Sequence, residues 1–427
     1  MKITVIGGGS TYTPELIDGI LVRHARLPIS EIHLVDIDPA RVGVIGAFAQ
    51  RMIKARGADI KVSWGDDLRA GVRGATFVIS QFRVGTQAAR HRDELLGREF
   101  DLIGQETVGV GGFAKALRTI PVALNLAKVI LEEAPHATLL NFTNPSGLIT
   151  EALLRHAPTL RTIGLCNVPW NLRTEVSNAM KTPLETISLD YIGLNHLSWV
   201  RGINITGEDR TSDSLAGFKN LVIKQGAQPD EPYWNEESLR ILAAIPNYYL
   251  LYYYETQNWL NFQRVNPTRA SEVMKIEADL MEKFKDEELT EKPAELMLRG
   301  GAYYSDSAAE LMADIHTDAG TIHIVNTRNN GAVPGVPDDV VMELPSRIGA
   351  QGAQAIETSA MRPDMDSLVR SVKDFELLTI DAAVTGNEDS ALRALITNPL
   401  GPDASRANQL WKRLKEENSG LIGAFNA

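Results

Sequence analysis

The chain has 427 residues, 44% hydrophobic and 23% charged, the proportions of an ordinary globular protein long enough for two or three domains. Forty-three Lys plus Arg against fifty-four Asp plus Glu leave a net charge of −11, which argues against a nucleic-acid partner recruited by overall charge. The single cysteine, Cys166, excludes an internal disulfide and a multi-thiolate zinc cluster. No apolar run approaches the roughly eighteen residues of a membrane span, and no leader pattern is visible, so no membrane partner and a cytoplasmic location are expected.

KITVI (2–6) is a short apolar burst that ends in Gly7-Gly8-Gly9-Ser10, and an amphipathic stretch from Pro14 to His24 follows, with proline suited to a first helical turn. EIHLVDID (31–38) reads as a second strand and residues 40–55 as a second helix. IKVSW (60–64), TFVISQF (76–82), ATLLNF (137–142) and RTIGLC (161–166) are further strand candidates. Apolar strands separated by helices predict an α/β, Rossmann-like domain with a mostly parallel sheet covered on both faces. After about residue 170 the pattern changes. Residues 185–206 read as paired strands, and 211–318 mainly as helices with a charged connecting loop at 283–295. TIHIVN (321–326) and VVMELP (340–345) return to strand, and 366–417 to helix. The expected division is a Rossmann-like domain over 1–170 and a mixed, largely helical domain over 171–427, with the boundary between 165 and 200.

Strand, glycine turn, helix, strand and acid is the order a dinucleotide site requires. Gly7, Gly8, Gly9 and Ser10 allow the backbone to approach a pyrophosphate at a helix N-terminus, and Asp36 is placed to accept from a ribose hydroxyl. The third glycine of the usual pattern is replaced by Tyr12. An acid at 36 with no basic residue directly after it favours NAD over NADP. Cys166, in LCNVP, and His196, in GLNHLSW, are either a buried small hydrophobe and a satisfied polar residue or a thiolate–imidazole pair for a divalent transition metal completed by water and substrate oxygens. Arg90 and Arg269 are solvated helix residues or bidentate phosphate ligands. The run PNYYLLYYYE (246–255) is core packing or the source of a tyrosine base.

Taken together, VIGGGSTYTPEL, LIGQETVGVGGFAKALRTIP, LLNFTNPSG, IGLCNVP, GLNHLSW, HIVNTRNNG and NPLGP resemble, in order and over nearly the whole chain, the NAD- and divalent-metal-dependent glycosidases of glycoside hydrolase family 4. Asn167, where the α-glucosidase branch carries aspartate, resembles the 6-phospho-β-glucosidase branch. The resemblance implies NAD and a metal such as manganese as cofactors, and a phosphorylated disaccharide or aryl glycoside as substrate. In the implied route, C3 of the sugar is oxidised by NAD+, a tyrosinate removes the C2 proton, the aglycone leaves, water adds and the hydride returns to C3, an exception to the paired-carboxylate scheme. It implies Cys166 and His196 as metal ligands, Tyr249 as base with Tyr248 the neighbouring alternative, and Glu106 as an acid that influences the base. Arg90, Asn144, Asn167 and Arg269 are implied as substrate contacts, and a homodimer or homotetramer as the assembly. An amide at 167 cannot protonate a leaving group, so either another acid or water does so. The competing readings are a 2-hydroxy-acid dehydrogenase, which shares the fold and the NAD site, and a non-catalytic NAD-responsive binding protein.

Overall fold

A computed structural model describes residues 1–212, 231–299 and 304–425. The expectation of helix over 211–318 falls partly on 213–230 and 300–303, which lie outside the described residues. Six strands, β1 (Lys2–Ile6), β2 (Glu31–Val35), β3 (Lys61–Gly65), β4 (Phe77–Ser80), β5 (Thr138–Asn141) and β6 (Arg161–Gly164), form a parallel sheet in the order β3-β2-β1-β4-β5-β6. Alternation along each strand feeds two cores, one on each face: Ile3, Val5, Phe77 and Ile79 point to one, and Ile6 and Val78 to the other. The first core is closed by α1 (Thr13–Val22) and α2 (Pro39–Ala55). The second is closed by α5 (Gly109–Glu133) and α6 (Ser146–His156). Between these elements lie α3 (Leu68–Val72) and α4 (Thr86–Glu99).

After α7 (Val168–Met180), an antiparallel hairpin of β7 (Ile187–Leu194) and β8 (Leu197–Ile205) builds a second, smaller sheet, to which β9 (Glu208–Asp209) and β10 (Ile245–Pro246) add. The chain then runs through helices at Glu236–Leu242, Leu251–Tyr254, Thr256–Val265, Arg269–Phe284 and Tyr304–Thr317. It next returns to the first sheet. β11 (Ile322–Arg328) pairs antiparallel with β6, and β12 (Val341–Gly349) and β13 (Gly352–Ala355) extend that edge, so the sheet has nine strands. Helices Pro363–Thr385, Glu388–Thr397 and Ala404–Glu417 complete the second core. Among the described residues no helix is long and apolar enough to cross a membrane.

The parallel strand order reverses at β1, between β2 on one side and β4 on the other, and ligands of open α/β sheets bind outside the strand ends at such a point.

Candidate active site

At that switch point β1 ends in Gly7, whose φ of +83° suits glycine, and the turn leads into α1. The Gly7 and Gly8 N–H groups donate to Val35 O at 2.9 Å each, and Gly9 N–H donates to Asp36 Oδ2 at 2.8 Å. A Cβ on Gly9 would lie 2.8 Å from that carboxylate oxygen, so the turn and the acid fit only without a side chain here. Two buried hydroxyls, Thr11 Oγ1 beside the turn and Thr143 Oγ1 after β5, have no hydrogen-bond partner among the described residues. A glycine turn at a helix N-terminus, an acid at the end of β2 and unsatisfied buried donors together fit a dinucleotide.

Next to the turn opens a cavity of about 560 Å³ lined by Tyr12, Arg90, Glu106, Asn144, Cys166, Asn167, His196, Tyr249 and Arg269, among others. Every substrate, metal and catalytic candidate named from the sequence therefore reaches one space, though they come from α4, the loop before α5, the β5–α6 and β6–α7 turns, the β7–β8 hairpin and the helical half. Cys166 Sγ and His196 Nε2 stand 3.5 Å apart. His196 Nδ1 is 3.0 Å from Thr107 Oγ1, and the tautomer that donates Nδ1–H there leaves the Nε2 lone pair turned to the sulfur. Burial keeps the imidazole neutral by lowering its pKa to about 3, and burial, with Glu343 nearby, raises the Cys166 thiol to about 12. Neutral imidazole and a thiol that ionises on a cation form a donor set suited to a divalent transition metal. Among the described residues no group of three or more His, Cys, Asp or Glu is placed to hold a metal, so this pair leaves coordination positions for other ligands.

Tyr249 lies on the 3₁₀ turn Tyr248–Leu250, its phenol stacked on His196 with centroids 3.8 Å apart and parallel planes. Burial first, then the neighbouring Cys166 and Glu106, push this phenol above the ordinary tyrosine range. Tyr248 points to a different partner, donating its hydroxyl to Glu231. Glu106 is held by three cations, Arg83, Arg90 at 3.2 Å and Lys115 at 2.7 Å. Burial would raise its pKa, but Arg83 and Arg90 together with Lys115 reverse this and leave it well below the usual carboxylate range. Burial and Arg83 in turn lower Lys115 to about 7. Arg90 is buried and also paired with Glu94 at 2.7 Å, whereas Arg269 sits at the rim with 42% of its side chain exposed. Asn144 Oδ1 accepts from Ser146 N–H at 3.3 Å, and Asn167 opens α7 with its Oδ1 4.0 Å from Cys166 Sγ.

Reading the sequence alone misses Arg83, Lys115, Thr107 and Glu343. Thr107 and Lys115 lie in a string that carries the resemblance and Arg83 lies outside all of them, and an isolated charge on a helix or loop reads as solvated. Glu343 stands in the strand read as VVMELP, where a single acid among apolar residues points to no particular chemistry.

The matching family models decide the classification: the family 4 glycosyl hydrolase model covers residues 2–182, and its C-terminal domain model covers 191–401. The chain belongs to family 4 of the glycosyl hydrolases. It is 40% identical to the 6-phospho-beta-glucosidase BglT of Thermotoga maritima, over 99% of each chain. It is 36% identical to the 6-phospho-beta-glucosidase of Escherichia coli K12, over 94% of this chain and 91% of that one. The crystal structure of the Thermotoga maritima enzyme with manganese, NAD+ and glucose-6-phosphate matches this family 4 chain with a TM-score of 0.91 at 39% identity, covering 98% of each.

Proposed function

We propose that this family 4 enzyme hydrolyses 6-phospho-β-glucosides, using NAD and a divalent metal, with manganese the metal we favour. The observation that carries the reading is the meeting of the Cys166–His196 pair with the stacked phenol of Tyr249 on the wall of one cavity beside the glycine turn. The close likeness to 6-phospho-beta-glucosidases supports the substrate class. A 2-hydroxy-acid dehydrogenase would have no use for the Cys166–His196 pair.

In this reading Gly7, Gly8, Gly9 and Ser10 with Asp36 would hold the dinucleotide, and Cys166 and His196 the metal. When bound, these groups supply a reversible hydride acceptor and Lewis-acid polarisation at the neighbouring sugar oxygen. Tyr249 accepts the C2 proton, and the bond from C1 to the aglycone then breaks. Its phenol, held high by burial, becomes basic only when a cation lies beside it, so base and metal function together. Glu106, kept ionised by Arg83 and Arg90, tunes that phenol and holds Arg90 against the sugar. Asn144 and Asn167 orient sugar hydroxyls, and Arg269 grips the phosphate where it enters from the rim. Residues 1–170 carry the dinucleotide and 171–427 complete the substrate side. The cytoplasm and an assembly of two or four identical chains belong to the same reading, on the strength of the family likeness.

A chromogenic 6-phospho-β-glucoside assayed with and without NAD+ and Mn2+ tests the proposal. Hydrolysis should require both, and the unphosphorylated glucoside should remain intact. Turnover indifferent to both additions would contradict it.

A further inference from the structure

Near Cys166 lies Glu343, a fully buried carboxylate on β12, in the strand read as VVMELP but outside the strings that carry the resemblance. It accepts hydrogen bonds from Tyr191 Oη at 2.5 Å, Asn195 Nδ2 at 3.0 Å and Asn326 Nδ2 at 3.3 Å. A buried acid in apolar surroundings is costly unless donors surround it, and here three do.

Two branches lead from it toward the reacting groups. The first runs through Asn195. Leu194 and Leu197 pair across the hairpin, so Asn195 and His196 alone make the turn, and His196 adopts a φ of +64° that a residue with a Cβ rarely takes. Such a conformation persists only where its surroundings over-determine it. Asn195 provides that restraint, donating to Glu343 and accepting from Gly147 N–H at 3.3 Å. The second branch runs through Tyr191. Asn195 and Asn326 donate to Glu343 Oε1 and Tyr191 donates to Oε2, so the Tyr191 oxygen must itself accept from Ser198 Oγ, at 2.5 Å. Ser198 Oγ in turn accepts from Asn247 Nδ2 at 3.0 Å, which turns Asn247 Oδ1 to the backbone N–H of Tyr249 at 3.1 Å. The direction of every donor in this chain follows from the acceptor at its end, Glu343 Oε2.

We propose that Glu343 is a positioning residue of this enzyme, fixing His196 through Asn195 and Tyr249 through Tyr191, Ser198 and Asn247, and so setting the metal ligand and the base against each other. The proposal rests on the assignment of those two roles above. Hydrogen-bonded groups one shell behind a metal site typically change metal affinity or activity by about ten- to a hundredfold when replaced.

Glu343→Gln keeps the shape but must present an amide N–H to one of the two branches. It should lower kcat by about tenfold or more with KM within twofold of the parent, and weaken Mn2+ binding, read by the spin resonance of free Mn2+, when the amide faces Asn195. Tyr191→Phe cuts only the second branch and keeps the ring. It should lower kcat by about tenfold while Mn2+ affinity stays at the parent value. Parent kcat and Mn2+ affinity in both variants would overturn the proposal. So would a fall in kcat matched by a proportional rise in KM and a collapse in melting temperature, the mark of a merely structural role. Cys166→Ser serves as the control on the underlying reading: parent Mn2+ affinity there would overturn that assignment and this one with it, whereas failure of the Glu343 and Tyr191 variants alone leaves the assignment standing.

Discussion

The imidazole of His196 and the phenol of Tyr249 lie face to face, their centroids 3.8 Å apart and their planes parallel. One ring is carried by a two-residue hairpin turn and the other by a 3₁₀ turn in the helical half, so the contact joins two regions that no local sequence pattern links. Cys166 and His196, the residues that would hold the metal, therefore stand beside the base.

Tyr249→Phe removes the hydroxyl and keeps the stack. The expected outcome is a fall in kcat of about a hundredfold or more, the scale of a lost general base, with KM and melting temperature little changed. Tyr248→Phe, whose parent hydroxyl is engaged by Glu231, should retain most of its activity. The reverse ranking in steady-state kinetics would move the base to Tyr248.

Cys166→Ser replaces a soft anionic ligand with a hydroxyl. Mn2+ affinity, measured by titration in the absence of substrate, should fall at least about tenfold. The fold should survive, since the sulfur's hydrogen bonds, at 3.5–4.0 Å, are weak. Unchanged Mn2+ affinity would contradict the ligand assignment.

The two arginines should separate in their effects. Arg269 is 42% exposed and, among the described residues, is held by Glu272 on its own helix and by Leu298 O, so Arg269→Ala should leave stability intact. It should raise KM for a 6-phosphoglucoside by about thirtyfold, the equivalent of a charge-assisted contact of about 2 kcal/mol. Arg90 is buried between Glu94 and Glu106, and Arg90→Ala leaves two buried carboxylates short of a partner. A loss of about 3–5 kcal/mol in denaturant unfolding is expected there, besides the loss of activity.

Glu106 carries the pH dependence. Its folded pKa is depressed, so its contribution to stability is complete above the ordinary carboxylate value of about 4.5 and is lost as pH falls through the lower folded value. Glu106→Gln should therefore be less stable than the parent at pH 7, and the difference should shrink steadily below about pH 4. A difference that stays constant across that range in acid-titrated denaturation would show that the charge of Glu106 is not what matters.

Much of this molecule is legible from residue order. The glycine turn follows an apolar burst and precedes a helix, and each of these signals is local. Cys166 and His196 were ambiguous as single residues and became meaningful only within strings of the right order. Helical spacing does not resolve the tyrosine run because a 3₁₀ turn at Tyr248–Leu250 precedes the short helix Leu251–Tyr254. β11 and β12 were visible as strands, but their joining the first sheet beside β6 depends on a pairing between distant segments that no periodicity encodes. Glu343 and Lys115 were invisible for a related reason: a lone charge becomes chemically informative only when it is buried, and burial belongs to the fold.

The central claim is that the glycosidic bond is broken by removing the proton at C2 and not by direct displacement at C1. Hydrolysis of a 6-phospho-β-glucoside in D2O with NAD+ and Mn2+, followed by magnetic resonance of the sugar phosphate released, tests it most directly. The account predicts solvent deuterium at C2 of the product, with no build-up of NADH in step with it. Product that keeps its C2 hydrogen throughout would contradict the account.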